Sequence, residues 1–281
     1  MILVEDRRWL LLAMVFAVLI AFACSSGDDG AAAQSTTTQA PAAAPTSAPA
    51  PAPVAVEPAV PRLVIATQPV SFETNNPLRD GGVTTGFALK PVFESLIGYD
   101  ANKGALVPQL ATSWSVEPNG KSIRFKLREN VPFHNGNGNF GAADVVYSHS
   151  VITADDSTHS HSRQYKKATV EVVNDHEIIF HLETANGEFL QIISELNPSS
   201  LDIESAADFA VLGTPELGTR PLAGTGFYQF AERSDGQFVR LERVSYEHWR
   251  STPDFPELEF RFQAEASTRL ASLLAEEAHL T

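Results

Sequence analysis

From Leu110 to Gly136 the chain alternates apolar and polar residues on both sides of Pro118-Asn119-Gly120, a pattern that obliges the backbone to run out and turn back. On the way in, Trp114 and Val116 alternate with Ser113, Ser115 and Glu117. On the way out, Ile123, Phe125 and Leu127 alternate with Arg124, Lys126 and Arg128. A period of two assigns alternate residues to opposite faces of a strand, so the return strand has one apolar and one basic face. Proline presets φ for the turn, and Asn and Gly tolerate positive φ. The stretch therefore predicts a β-hairpin that places Trp114, Ile123, Phe125 and Leu127 in a core.

The same reasoning extends along the chain. Leu63-Val64-Ile65-Ala66 is a continuous apolar run and predicts a strand buried on both faces. Thr67–Asn76 reads as a polar loop. Thr84–Ile97 predicts a helix with Phe87, Val92, Phe93 and Leu96 on one stripe, kinked or starting late because of Pro91. Ala142–Ile152, Glu188–Leu196 and Ser205–Leu212 predict further helices. Thr169–Val173 with Glu177–Leu182 predicts a second hairpin, turning at Asn174-Asp175. Phe227–Ala231 with Phe238–Arg243 predicts a third, around Ser234-Asp235-Gly236. Leu258–Gln263 reads as a strand. Thr268–Ala278 reads as a helix with Leu270, Leu273 and Leu274 inward. Strands and helices interleave, so the expected class is mixed α and β.

The N-terminal quarter has a different character. Arg7 and Arg8 precede a 15-residue apolar run, Trp9–Ala23, that stops at Cys24, the only cysteine in the chain. That run is short for a membrane span, which needs about 20 residues. It suits the apolar region of a signal peptide, residues 1–23. Ala21-Phe22-Ala23-Cys24 looks like a lipoprotein cleavage site, which makes Cys24 the expected acylation site and membrane anchor. An uncleaved anchor with an incidental cysteine is the alternative. Ser25–Pro61 is rich in Ala, Pro, Thr and Ser, with almost no large apolar residue to offset the entropy of ordering. It reads as a tether, so residues 24–61 carry the anchor and spacer. The tether would span roughly 35 Å as a coil and about 115 Å as an extended rod. Residues 62–281 form the expected globular part, large enough for a substantial core.

The formal charge of −14 argues against a nucleic-acid partner, because phosphate backbones are bound by clustered Lys and Arg. One cysteine makes neither an internal disulfide nor a thiolate zinc cluster.

Several blocks then occur in a characteristic order. They are Phe93-Glu94-Ser95-Leu96 with Gly98-Tyr99-Asp100, Pro108-Gln109-Leu110-Ala111, the first hairpin ending in Val131-Pro132-Phe133-His134, and Ala142-Ala143-Asp144-Val145-Val146-Tyr147-Ser148. Gly224-Thr225-Gly226-Phe227-Tyr228 follows, with Phe227 where proline is usual. Leu241-Glu242-Arg243 with Tyr246 and Trp249, and Arg269-Leu270-Ala271-Ser272-Leu273-Leu274, close the set. Together they resemble the extracytoplasmic solute-binding proteins of ABC importers, in the oligopeptide, dipeptide and nickel family.

The resemblance implies a fold of the type II periplasmic-binding-protein kind, a two-lobed clamp with mixed sheet, hairpins and packed helices. Members of that family are much longer, so the expectation is a truncated or partial product holding the first lobe (62–281), with the second lobe absent. It also implies a ligand held between lobes, with contacts from strand-end loops. Phe72 would offer an apolar wall, Glu73 would meet a ligand amine, and Asn75 would hydrogen-bond, with Thr225 and Phe227 on the second loop. For each residue alone, plain loop surface is the competing reading.

Other chemistry finds little support. His134 reads as a structural hydrogen-bonder. His149, His159 and His161 suggest a metal site, but they fall in polar surroundings and read as solvated. No Gly-x-Ser-x-Gly elbow and no acid–base carboxylate pair is present, so no enzyme, cofactor or metal is expected.

The expected function is capture of an oligopeptide or similar small solute outside the cytoplasmic membrane and its delivery to ABC permease subunits, from a lipid anchor. A lone lobe is expected to bind peptide weakly or not at all. The alternatives are a non-transport surface lipoprotein, acting as sensor partner or adhesin, and a family member for nickel or another solute.

Overall fold

The computed structural model describes residues 60–70, 73–80, 87–216 and 218–281. The signal peptide, Cys24, the tether up to Ala59 and Phe72 lie outside the described residues.

Chain order is as follows. Strand β1 (Arg62–Thr67) leads through helix α1 (Pro77–Asp80) and a 3-10 turn, Phe87–Val92, to strands β2 (Ile97–Asp100) and β3 (Ala105–Pro108). Strands β4 (Ala111–Val116) and β5 (Ser122–Leu127) form the first predicted hairpin. Helices α2 (Ala142–Thr153) and α3 (Ser162–Tyr165) lead to β6 (Ala168–Asn174) and β7 (Glu177–Leu182). Helices α4 (Phe189–Ile192) and α5 (Ala206–Leu212) precede β8 (Tyr228–Ser234), β9 (Phe238–Arg243), β10 (Glu257–Phe262) and α6 (Ala266–Leu274).

All three predicted hairpins form. Trp114 pairs with Phe125 and Val116 with Ile123. The turn closes with Gly120 N donating to Glu117 O at 2.9 Å, while Asn119 Oδ1 accepts from Lys121 N and Ser122 N. Ile123, Phe125 and Leu127 are buried as the alternation requires, each contributing about 1.5–3 kcal/mol. Trp114 is only half-buried and Val116 is exposed, so the incoming strand enters the core less deeply than its pattern suggests. The reason is position: β4 is an edge of the antiparallel sheet β4-β5-β7-β6 and covers one end of it.

A second sheet, β1-β10-β9-β8, pairs β1 parallel to β10 and is otherwise antiparallel. Each four-stranded sheet carries its own core. One gathers Phe125, Phe180, Tyr165 and Phe189; the other gathers Leu89, Val92, Leu241 and Phe260.

Four expectations need correction. The Leu63–Ala66 strand is at a sheet end rather than buried on both faces. Val64 and Ala66 are buried against Ala278, while Leu63 and Ile65 are half-buried. Its outer edge is covered by residues 279–280, with His279 N donating to Val64 O at 2.8 Å and Ala66 N to Leu280 O at 2.9 Å, which blunts an open edge. The Thr84–Ile97 helix is not continuous: within 87–97 only a 3-10 turn forms, and the chain is extended again at β2. Pro91 has no N–H to continue a helix, and its ring disfavours a preceding turn. The Glu188–Leu196 helix is reduced to Phe189–Ile192, and Leu196 is exposed.

The last helix turns Leu270 and Leu274 outward and leaves Leu273 half-buried. Leu270 and Leu274 are 53% and 77% exposed, and it is Ser272 that is buried, donating to Gln263 Oε1 and Thr268 O at 2.8 Å. Arg269 Nη1 also donates to Gln263 O at 2.7 Å. These polar bonds to the strand end outcompete the apolar stripe in setting which side of the helix faces inward.

Candidate functional site

The Gly224-Thr225-Gly226 segment is held against the 3-10 turn by direct backbone approach. Gly226 N donates to Val92 O at 2.9 Å. A Cβ at position 224 would lie 2.1 Å from Val92 O, and one at 226 would lie 2.2 Å from Pro91 O. Only glycine fits at either position. Two imidazoles then lock the segment: His248 Nε2 donates to Thr225 O at 2.8 Å and His134 Nε2 to Gly226 O at 2.9 Å. The structural hydrogen bond expected of His134 is therefore present. Burial, together with the nearby His248, pushes its imidazole down to about 4 despite the opposing Gly226 bond.

Glu94 ties this segment to the chain's other half. Its carboxylate is buried and accepts from Thr225 Oγ1 at 2.9 Å, Trp249 Nε1 at 3.2 Å and Arg250 Nη1 at 3.3 Å. Three donors compensate a charge that would be costly to bury alone. Arg250 Cζ lies 4.9 Å from the Phe227 ring centroid, and the His248 ring lies 4.4 Å from it.

Beside this knot lies a cavity of about 240 Å³. Phe87, Phe93 and Pro198 give it apolar walls; Lys90, Ser95, Glu195 and Asp202 give it polar ones. Of the stretch Ser200–Glu204, Asp202 lines the cavity. Leu201 and Ile203 enter the core, while Ser200, Asp202 and Glu204 take the other face and are buried too. Asp202 is well partnered: Lys90 Nζ at 2.5 Å, Ser200 Oγ at 2.7 Å and Ser95 Oγ at 3.3 Å. Glu204 is not. It is 0% exposed and neither carboxylate oxygen has a hydrogen-bond partner. Burial first, and the Asp202 charge second, push its carboxyl up to about 8.

The residues nominated from sequence fall in two places. Glu73 pairs with Arg233 and accepts from Gly236 N at 2.5 Å; Asn75 Nδ2 donates to Glu216 O and Thr219 O. Both pin their loop to the 216–219 and 233–236 segments. Thr225 is fully buried on Glu94, and Phe227 is half-buried on His248 and Arg250. His149 and His159 are buried rather than solvated: His149 Nε2 donates to Tyr165 O at 3.1 Å, and His159 stacks edge-on against Tyr165. Sequence reasoning missed Lys90, Glu195, Asp202 and Glu204. The signal for the last two was the alternation Leu201-Asp202-Ile203-Glu204, which marks a strand-like stretch but reads as half-solvated.

Known proteins resemble this chain along most of its described length. The profile of the bacterial extracellular solute-binding proteins, family 5 Middle, matches residues 105–281. The probable di/tripeptide-binding protein 5 of Pseudomonas aeruginosa (strain UCBPP-PA14) is 30% identical over 208 residues, covering 68% of this chain and 39% of that protein. The dipeptide-binding protein of Escherichia coli (strain K12) is 26% identical over 222 residues, covering 71% and 40%. Among solved structures, the dipeptide binding protein from Pseudoalteromonas sp. SM9913 in complex with Met-Leu superposes with a TM-score of 0.68. It has 23% identity and covers 77% of this chain and 46% of that one. The chain thus spans about two fifths of the length of these curated relatives.

Proposed function

This chain belongs to family 5 of the bacterial extracellular solute-binding proteins, and from that premise we infer that it captures a peptide or similarly small solute outside the cytoplasmic membrane for an ABC importer. The profile match over residues 105–281 carries the inference. The type II binding-protein fold agrees with it, and so do relatives named for binding dipeptides and tripeptides. The proposed role is binding and delivery, not catalysis.

Within it, the cavity beside Phe87 and the ring of Phe227 present the lobe's ligand surface. Thr225, Glu73 and Asn75 act by holding the two loops in place, since their side chains are taken up by neighbouring segments. After removal of the signal peptide, acylated Cys24 and the tether to Pro61 would hold this lobe at the membrane. Mass spectrometry of protein recovered from membranes tests the anchor: an unmodified Cys24 would rule it out.

The binding role is tested by titrating the isotope-labelled chain with dipeptides and tripeptides and following amide signals. Saturable shifts at residues around Phe87, Ser95 and Phe227 support it. No saturable shift up to about 10 mM peptide, where binding as weak as roughly −3 kcal/mol is visible, would overturn it.

A further inference from the structure

We propose that a second cavity, at α3 and lined by Ser160, Ser162, Arg163, Gln164 and Lys166, binds the phosphoryl group of a sugar phosphate. It shares no lining residue with the cavity beside Phe87, so it stands or falls independently of the peptide-capture reading.

Charge accounting points to an anion. Ser157, Thr158 and His159 complete the lining, which contains no carboxylate. In a chain of formal charge −14, a cavity lined by cations without acids runs against the average. Its two cations, Arg163 and Lys166, stand three residues apart across one helical turn and so share a side. Burial holds the His159 imidazole down at about 4, so it adds no charge near neutral pH. Of the nearby acids, Asp156 pairs with Arg79. Asp155 reaches Lys166 only at 3.6 Å and from a fully exposed position, where water screens the pair. Arg163 makes no ion pair among the described residues, which leaves its charge for a ligand.

The donors are fixed before any ligand arrives. Thr158 N donates to Arg79 O at 3.0 Å and Ser162 N to His159 O at 2.9 Å. Tyr165, fully buried beneath the cavity's helix, donates its hydroxyl to Ile192 O at 3.3 Å. Ser157 Oγ is taken up inside the loop by Arg79 O and His159 N. Ser162 Oγ and the Gln164 amide make no hydrogen bond among the described residues, so both remain to donate. Groups presented on a pinned loop lose little freedom on binding.

Arginine's planar fork meets phosphate oxygens in pairs, and lysine adds a point charge. A lone phosphate ion would leave most of the cavity empty, because its volume of about 720 Å³ lies in the range that holds a whole small ligand. No purely apolar side chain lines it, so the rest of the ligand is hydroxylated rather than hydrocarbon.

A free sugar phosphate and the phosphoglycerol headgroup of a lipid share this chemistry, and the test separates them. The isotope-labelled full chain, as wild type and as Arg163→Gln, is titrated with glucose-6-phosphate, glucose and inorganic phosphate, following the amide signals of residues 157–166. Co-sedimentation with phosphatidylglycerol vesicles is measured in parallel. Arg163 is exposed, so the substitution leaves the fold intact, and an unchanged urea midpoint verifies that. We expect saturable shifts with the sugar phosphate, and binding about tenfold or more weaker for glucose, for inorganic phosphate and in Arg163→Gln. No saturable shift, or binding indifferent to Arg163, overturns the site. Glucose binding as tightly as its phosphate overturns the phosphoryl contact, and inorganic phosphate binding as tightly overturns the sugar. Sedimentation with vesicles without a response to the sugar phosphate overturns the soluble ligand in favour of a lipid headgroup.

Discussion

Replacing Glu204 by glutamine removes a fully buried carboxyl whose two oxygens have no hydrogen-bond partner, and its effect is read through pH. The folded chain holds this group protonated up to about 8, against an ordinary value of 4.5. The unfolded chain releases the proton near that ordinary value. Between the two, the folded state binds one proton more, so stability is complete below about 4.5 and is lost as pH rises through about 8. The slope is about 1.4 kcal/mol per pH unit, which makes a loss of roughly 2.7 kcal/mol between about pH 5.5 and about pH 7.5. Glutamine keeps the volume and cannot ionise, so that component disappears. Its amide is still an unpartnered polar group, so absolute stability is a poor readout. The difference in pH dependence is the clean one, because every other titrating group cancels. Urea unfolding of both proteins at the two pH values measures it. Parallel pH profiles, agreeing within about 0.5 kcal/mol, would refute the claim that Glu204 is buried and neutral.

Gly226→Ala forces a Cβ to within 2.2 Å of Pro91 O, a backbone atom that cannot swing away. We expect a loss of about 3 kcal/mol or more, read as a lower urea midpoint, and an unchanged midpoint would show that the Gly-Thr-Gly contact is not close. In the acid range two of the buried imidazoles, His134 and His159, act with the opposite sign to Glu204. Burial holds His134 and His159 at about 4, below the ordinary 6.5. The unfolded chain therefore takes up protons first, and stability falls as pH drops from about 6.5 to about 4. His159→Gln should flatten that fall, and an equally steep acid limb would count against its burial.

The three hairpins were legible because their determinants are local. Asn119-Gly120, Asn174-Asp175 and Asp235-Gly236 supply turn chemistry, and the flanking alternation assigns faces without reference to the rest of the chain. Helix α2 was legible for the same reason. The 84–97 stretch was not. Its apolar spacing suits a helix, but Pro91 interrupts it, and the Val92 carbonyl is instead taken by Gly226, far away in sequence. Glu73 and Asn75 were nominated as ligand contacts, and the sequence had no means to show that Arg233 and Gly236 engage Glu73 and that the Glu216 and Thr219 carbonyls engage Asn75.

By itself, then, the sequence determined the class of fold, the three hairpins and the family, all of which depend on short-range periodicity and on ordered local motifs. Tertiary structure alone decided which charges are in water. Asp202 and Glu204 alternate with core residues as any solvated strand face would, and only tertiary packing buries them: Lys90 and Ser95 hold Asp202, while Ser148 of α2 bonds the Glu204 backbone. Glu195 stays half exposed a few residues earlier. Burial is a property of what folds over a residue, drawn from distant parts of the chain, and it is burial that keeps the Glu204 carboxyl neutral.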